Sequence, residues 1–186
     1  MSKPVILASQ SPRRRELLAQ IGVDFRVVTA DIDETPLPGE DHRAYTLRLA
    51  DDKARAILVQ HPDSIVIGAD TTVEVDGDLL GKPRDAADAA RMLRLLSGRA
   101  HQVTTGIAVL TNDQTHIAAE TTNVFFSAMT DDEIAAYVAT GEPMDKAGAY
   151  GIQGRAAEWI PRIEGDYNNV VGLPLAKLAS LLKLLK

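Results

Sequence analysis

"PVILASQSPRRRELLAQIG", residues 4–22, holds an apolar run, a cap and an apolar-periodic stretch in succession. Residues 4–9 read as a buried strand, short and apolar and ending in polar residues. Ser11 then offers an N-cap hydroxyl to a first-turn amide. Pro12 suits the first helical position, where a missing N–H costs nothing. Leu17, Leu18 and Ile21 form the apolar stripe of a helix, and Gly22 is its C-terminal stop. A strand that runs directly into a helix is the opening of an α/β chain. The helix start also carries Arg13, Arg14 and Arg15. The positive end of the helix dipole disfavours cations there, by roughly 0.3–1 kcal/mol each at an exposed site. Arg13 and Arg14 lie four residues before Leu17 and Leu18, so they continue the inward stripe. A negative partner is expected against them.

Outward from this stretch the alternation continues. Residues 25–30 read as a second strand, followed by the acidic "DIDET" and the loop "PLPGED". Residues 42–60 read as a long helix with Leu47, Ala50, Ala54, Ile57 and Leu58 inward. "SIVIGAD" (64–70) is a β-branched strand, and the next segment reads as a hairpin around Asp76-Gly77. Asp85 caps a helix that stops at Gly98. Residues 101–110 and 115–128 form a strand pair. Thr130 and Glu133 make a capping box for a helix stopped by Gly141 and Pro143. "AEWIPRI" (157–163) reads as a strand, and 174–186 as an amphipathic terminal helix. Long antiparallel pairings mixed with crossover helices predict a mixed α/β sheet, not a strict doubly wound one. No linker separates independent parts, so residues 1–186 are expected to form a single domain.

Composition narrows the partner. The 186 residues are 45% hydrophobic and 25% charged, an ordinary balance for a folded globular chain. The net charge of −6 argues against nucleic acid, which calls for an extended basic face. The basic residues occur in short clusters, which favours a small anion in a pocket. The absence of cysteine excludes disulfides and thiolate metal sites and fits a cytoplasmic protein. No signal peptide is recognisable, and no apolar run approaches the roughly 18 residues that would span a membrane.

Polar residues gather at the ends of the elements. Asp70 follows "IVIGA", where open α/β sheets place ligands, although a turn or cap residue would look the same. Glu34 closes "DIDE", which reads equally as a solvated acidic turn. Lys53 lies among Asp51, Asp52 and Arg55, the setting of an ordinary surface ion pair. Lys82 stands in a rigid turn between Gly81 and Pro83. "DKAGAYGIQG" (145–154) carries three glycines and reads as a loop able to approach a ligand closely, or simply as a flexible one. Together these groups would make a site for a metal-bound polyphosphate. There is no G-x-x-x-x-G-K-[ST], no G-x-G-x-x-G and no G-x-S-x-G. The histidines at 42, 61, 101 and 116 lack ligand spacing, and His101 reads as a packed strand residue.

The ordered set "LASQSPRRRELLAQIG", "DETP", "RLADDKA", "IGADTTV", "GKPRD", "LSGRAHQVTTG", "DKAGAYGIQG" and "YNNVVGLPL" resembles the Maf family of nucleoside triphosphate pyrophosphatases. The resemblance spans residues 5–175. It implies an elongated, two-lobed α/β fold around a twisted mixed sheet, like that of the inosine-triphosphate pyrophosphatases. It also implies hydrolysis of a nucleoside triphosphate to the monophosphate and pyrophosphate, a divalent cation (Mg²⁺ or Mn²⁺), and a homodimer. The "DKAGAYGIQG" form is similar to the branch acting on dTTP and UTP, with roles in clearing modified pyrimidines from the nucleotide pool and in arrest of cell division. Carried onto these residues, the resemblance places Ser9, Arg13 and Arg14 at the triphosphate and Lys53 and Lys82 on phosphate oxygens. Glu34 and Asp70 would hold the metal, with Asp70 also as proton acceptor, and Thr71 and Gln153, with Arg13, would bear on substrate choice. A nucleotidyltransferase and a non-catalytic nucleotide-binding regulator are the rival classes.

Overall fold

The computed structural model describes residues 3–185, so Lys186, the last residue of the expected terminal helix, lies outside them. The strands are β1 (Val5–Ala8), β2 (Phe25–Val27), β3 (Ile65–Val75), β4 (Asp78–Leu80), β5 (Ala100–Leu110), β6 (Thr115–Phe125) and β7 (Arg162–Glu164). The helices are α1 (Pro12–Gln20), α2 (His42–Leu58), α3 (Ala86–Leu96), α4 (Asp131–Val138), α5 (Tyr167–Val171) and α6 (Leu175–Leu182). One mixed sheet has the order β2-β1-β3-β5-β6-β7, with β4 paired to β3. β1 runs parallel to both β2 and β3, whereas the β3–β4 and β6–β7 pairs are antiparallel.

The chain divides into two compact units. The first comprises Met1–Asp70, Thr105–Glu120 and Gly172–Lys186, and the second Thr71–Thr104 and Thr121–Val171. The core of the first includes Ile6, Ala8, Ala50, Ala54, Ile57, Val66, Ala108 and Leu110. The second buries Val73, Leu93, Leu96, Val103, Val124, Phe126, Ile134, Tyr137 and Trp159.

Most local expectations hold. Ser11, Asp85 and Thr130 cap α1, α3 and α4, and the Thr130–Glu133 capping box is complete. Four differ. Residues 64–70 do not end a strand: β3 continues unbroken through Asp70 to Val75, so the hairpin at Asp76-Gly77 grows out of the same strand. In α2 the buried residues include Thr46 and Leu49 while Leu47 is only half-buried, because the face is set by what packs on it. "AEWIPRI" is a 3₁₀ turn over Arg155–Trp159 followed by the short β7, consistent with Pro161, which cannot donate to a strand ladder. The glycine-rich segment 145–154 is neither open nor loose: Gly148, Ala149, Tyr150 and Ile152 are buried.

Candidate active site

The site grows from the β1–α1 junction. β1 stops at Ala8, and its Ser9 hydroxyl accepts from the Ser11 amide at 3.3 Å. Ser11 in turn accepts from the Arg14 amide, closing the helix cap at 3.4 Å. The Arg14 side chain then folds inward. Its Nε donates to the Gly172 carbonyl at 2.8 Å, and its Nη1 to the Ala69 carbonyl at 2.8 Å and to Ser9 Oγ at 3.2 Å. Burial lowers the pKa of this guanidinium, and the Asp70 charge opposes that shift. Arg14 therefore ties the end of β1, the middle of β3 and the segment before α6 together. The sequence puts Arg14 beside Arg13 as a phosphate contact, and the structure adds a clamp on protein oxygens. Arg13 is half-buried at the same helix start.

Asp70 is a mid-strand residue, yet it still stands where a neighbour runs out. The β1–β3 register ends at Ala8 opposite Gly68, two residues before Asp70. Helix α2 lies close over this point. A Cβ on Gly68 would fall 2.9 Å from the Ala54 Cβ, and one on Gly106 would fall 2.6 Å from the Thr46 carbonyl oxygen. Glycine here is a requirement of close approach. The approach delivers Lys53, the residue before Ala54, directly onto Asp70: Lys53 Nζ donates to Asp70 Oδ1 at 2.6 Å and pairs with Glu34 Oε1 at 2.7 Å. The side chains of Lys53 and Asp70 are only 14% and 13% exposed, against 56% for Glu34. The ordinary surface ion pair foreseen for Lys53 is thus a half-sequestered carboxylate–ammonium–carboxylate cluster.

Two residues that sequence reasoning passed over hold Glu34 in place. Tyr45 donates from its hydroxyl to the Glu34 carbonyl at 2.9 Å. Arg48 donates to both Glu40 oxygens at 2.6 and 2.8 Å and to the Thr35 carbonyl at 3.1 Å. Paired charge-assisted bonds of this kind fix a loop more firmly than a single ion pair does. The available signal was spacing: Arg48 and Tyr45 lie five and eight residues before Lys53, roughly one and two turns back along α2.

Thr71, Lys82 and Gln153 belong to the second unit. Thr71 follows Asp70 on the uninterrupted β3. Lys82 is exposed in the turn between Gly81 and the buried Pro83, and that turn is pinned by the Gly148 amide, which donates to the Gly81 carbonyl at 3.1 Å. Gln153 is exposed, just after the buried Ile152. The glycines around it approach the protein's own atoms: a Cβ on Gly148 would meet Val73 at 3.0 Å. His101 lies in the second core, its Nε2 2.8 Å from the Tyr150 hydroxyl and its ring edge-on to Phe126 and Tyr150.

The two carboxylates suit a hard divalent cation. Mg²⁺ takes one or two carboxylates and fills its remaining positions with phosphate oxygens and water. Among the described residues no group of three or more His, Asp or Glu side chains is gathered for a metal. Two carboxylates are the number that Mg²⁺ takes from a protein when phosphate oxygens and water supply the rest.

The Maf-like protein family model matches residues 4–185, nearly the whole chain. The chain belongs to the Maf family. It is 52% identical over 179 residues to a dTTP/UTP pyrophosphatase of Koribacter versatilis (strain Ellin345), covering 96% of this chain and 93% of that one. It is 53% identical over 178 residues to a dTTP/UTP pyrophosphatase of Symbiobacterium thermophilum, covering 96% and 92%. In fold it is similar to the Ham1 protein of Staphylococcus aureus, with a TM-score of 0.58 at 19% identity over 99% of this chain and 100% of that one. That likeness agrees with the mixed α/β sheet expected from the sequence. Among the described residues no helix is long and apolar enough to cross a membrane.

Proposed function

We propose that this chain is a nucleoside triphosphate pyrophosphatase that hydrolyses dTTP and UTP to the monophosphate and pyrophosphate. The observation that carries the reading is the Glu34–Lys53–Asp70 cluster beside the Arg14-clamped start of α1. The names of half-identical relatives support it. Water attacks the α-phosphorus, a new P–O bond forms, and the α–β anhydride breaks to release pyrophosphate. Asp70 accepts the water's proton at Oδ2 while Oδ1 remains bonded to Lys53. Lys53 has three N–H donors and spends two on carboxylates, so the third is available for a phosphate oxygen. Arg13, Lys82 and the positive end of the α1 dipole stabilise charge on the phosphates, with Ser9 and Arg14 holding that wall. Glu34 and Asp70 would hold Mg²⁺ or Mn²⁺, which when bound neutralises phosphate charge and acidifies water. Gln153 reads the base: uracil and thymine each offer a carbonyl beside an N3–H, and one carboxamide complements both. Thr71 lies beside Asp70 in sequence and contributes to the same choice.

The test is incubation with UTP and Mg²⁺ and no acceptor. Equal amounts of UMP and pyrophosphate are expected; orthophosphate, or binding without turnover, overturns the reading. A nucleotidyltransferase would release pyrophosphate only with an acceptor, and a regulator would bind UTP without consuming it. With this reading we also take the chain to act as one domain, as a homodimer in the cytoplasm, on canonical or modified pyrimidine triphosphates. Sedimentation and a substrate panel check the assembly and the substrates.

A further inference from the structure

Gln153 sits in a segment without strand partners, so its aim must come from elsewhere. The amides two residues to either side of it supply an answer. The Gly151 amide donates to the Tyr137 hydroxyl oxygen at 3.3 Å, and that hydroxyl donates to Glu142 Oε1 at 2.9 Å. The Arg155 amide donates to Glu142 Oε2 at 3.2 Å. A single carboxylate therefore closes a loop of hydrogen bonds that brackets Gln153. Tyr137 is fully buried on α4 and packs against Trp159 with ring centroids 5.6 Å apart, so the far side of the loop is rigid.

The surrounding glycines are shaped to this arrangement. A Cβ on Gly154 would stand 2.5 Å from the Glu142 Cδ, and one on Gly151 would stand 2.7 Å from the Lys146 Cε. Lys146 in turn donates to the Glu142 carbonyl at 2.6 Å, fixing the backbone that carries the carboxylate. Burial raises the pKa of the Tyr137 hydroxyl, which keeps it protonated and donating.

We propose that Glu142, through Tyr137, is the positioning residue that aims Gln153 and thereby sets pyrimidine selectivity. This rests on the reading of Gln153 as the base-contacting residue. The chemistry requires a carboxylate, because both oxygens accept. A carboxamide offers one acceptor and one donor, so in Glu142→Gln either the Arg155 amide meets a donor or the Tyr137 hydroxyl must turn from donating to accepting, and the arrangement around Gln153 is disturbed either way.

The experiment compares the full chain with Glu142→Gln, Tyr137→Phe, Gln153→Ala and the Glu142→Gln/Gln153→Ala double variant. For each, kcat and KM are measured with UTP and with CTP, together with Tm. Glu142→Gln should raise the UTP KM about two- to tenfold, the range for one lost hydrogen bond, and lower the UTP-over-CTP preference by a similar factor. Tyr137→Phe should do the same, which covers the case of a misfolded Glu142 variant. On the Gln153→Ala background, Glu142→Gln should leave the remaining preference unchanged. Equal losses for UTP and CTP, or independent effects in the double variant, overturn the positioning role and leave base reading by Gln153 standing. An unchanged preference in Gln153→Ala overturns base reading itself, and the positioning role with it.

Discussion

Asp70→Asn separates chemistry from architecture at this site, because the structure makes the two consequences very different in size. The substitution keeps the side-chain shape and leaves Oδ1 able to accept from Lys53, which lies 2.6 Å away. What is lost is the negative charge and the ability to take a proton. Removing one partner of a buried ion pair usually strands the other charge, at a cost of about 3–5 kcal/mol. Here Lys53 keeps Glu34 at 2.7 Å, and Glu34 is more than half exposed. The ammonium is therefore not orphaned, and the stability cost should be about 1 kcal/mol, a Tm shift of roughly 2–4 °C for a chain of this size. Catalysis has no such reserve. Loss of a general base costs about 10²–10⁴-fold, equivalent to about 3–5 kcal/mol in the barrier, and loss of a metal carboxylate adds to it. The assay is pyrophosphate release from UTP, with Tm measured on the same samples. Turnover within about threefold of the parent would refute the role of Asp70. A Tm fall above about 10 °C would show that the cluster is primarily structural.

Other outcomes follow from the same contacts. Arg14→Ala should cost about 2–4 kcal/mol in stability and lower the urea midpoint accordingly, since the Ala69 and Gly172 carbonyls lose their donor, and Arg14→Lys should recover only part of it; an unchanged midpoint would remove the clamp. Gly68→Ala should cost about 1–3 kcal/mol and reduce turnover, because the added methyl pushes against Ala54 and the Ala50 carbonyl and so displaces Lys53; full activity would show that α2 can shift without consequence. His101 is 3% exposed, one ring nitrogen has no partner, and burial lowers its pKa to about 4. The unfolded chain therefore binds the extra proton first, so the contribution of His101 is complete above about pH 6.5 and is lost as pH falls towards 4, by about 3 kcal/mol in all. His101→Gln should flatten that part of the stability–pH curve, and an identical slope in the variant would refute the assignment.

What could be read from the chain alone was whatever depends on neighbours in sequence. The caps at Ser11, Asp85 and Thr130 are set by one side chain and an amide three residues on, and all three stand in the structure. The same holds for the Asp76-Gly77 turn, where both residues take positive φ. The ordered motifs carried the family, because their combination over most of the chain leaves little room for coincidence. Element limits were less legible. β3 runs past Asp70 because strand length is decided by partners from elsewhere in the chain: β3 has β5 as a neighbour in the sheet, and Val73–Val75 pair with β4.

The sequence by itself determined the mixed α/β class and nominated Asp70, Lys53 and Glu34 as polar residues in suggestive places. It left each with an ordinary alternative. Only the tertiary structure decided that Lys53 bridges two carboxylates, because that contact needs Gly68 and Ala54 to let α2 approach β3, and those positions are far apart in the chain. It also reassigned the glycines of the 145–154 segment. From sequence they promised room for a ligand, whereas in the fold Gly148, Gly151 and Gly154 make room for Val73, Lys146 and Glu142. A glycine signals only that something comes close, and which atoms come close is a property of packing between distant segments.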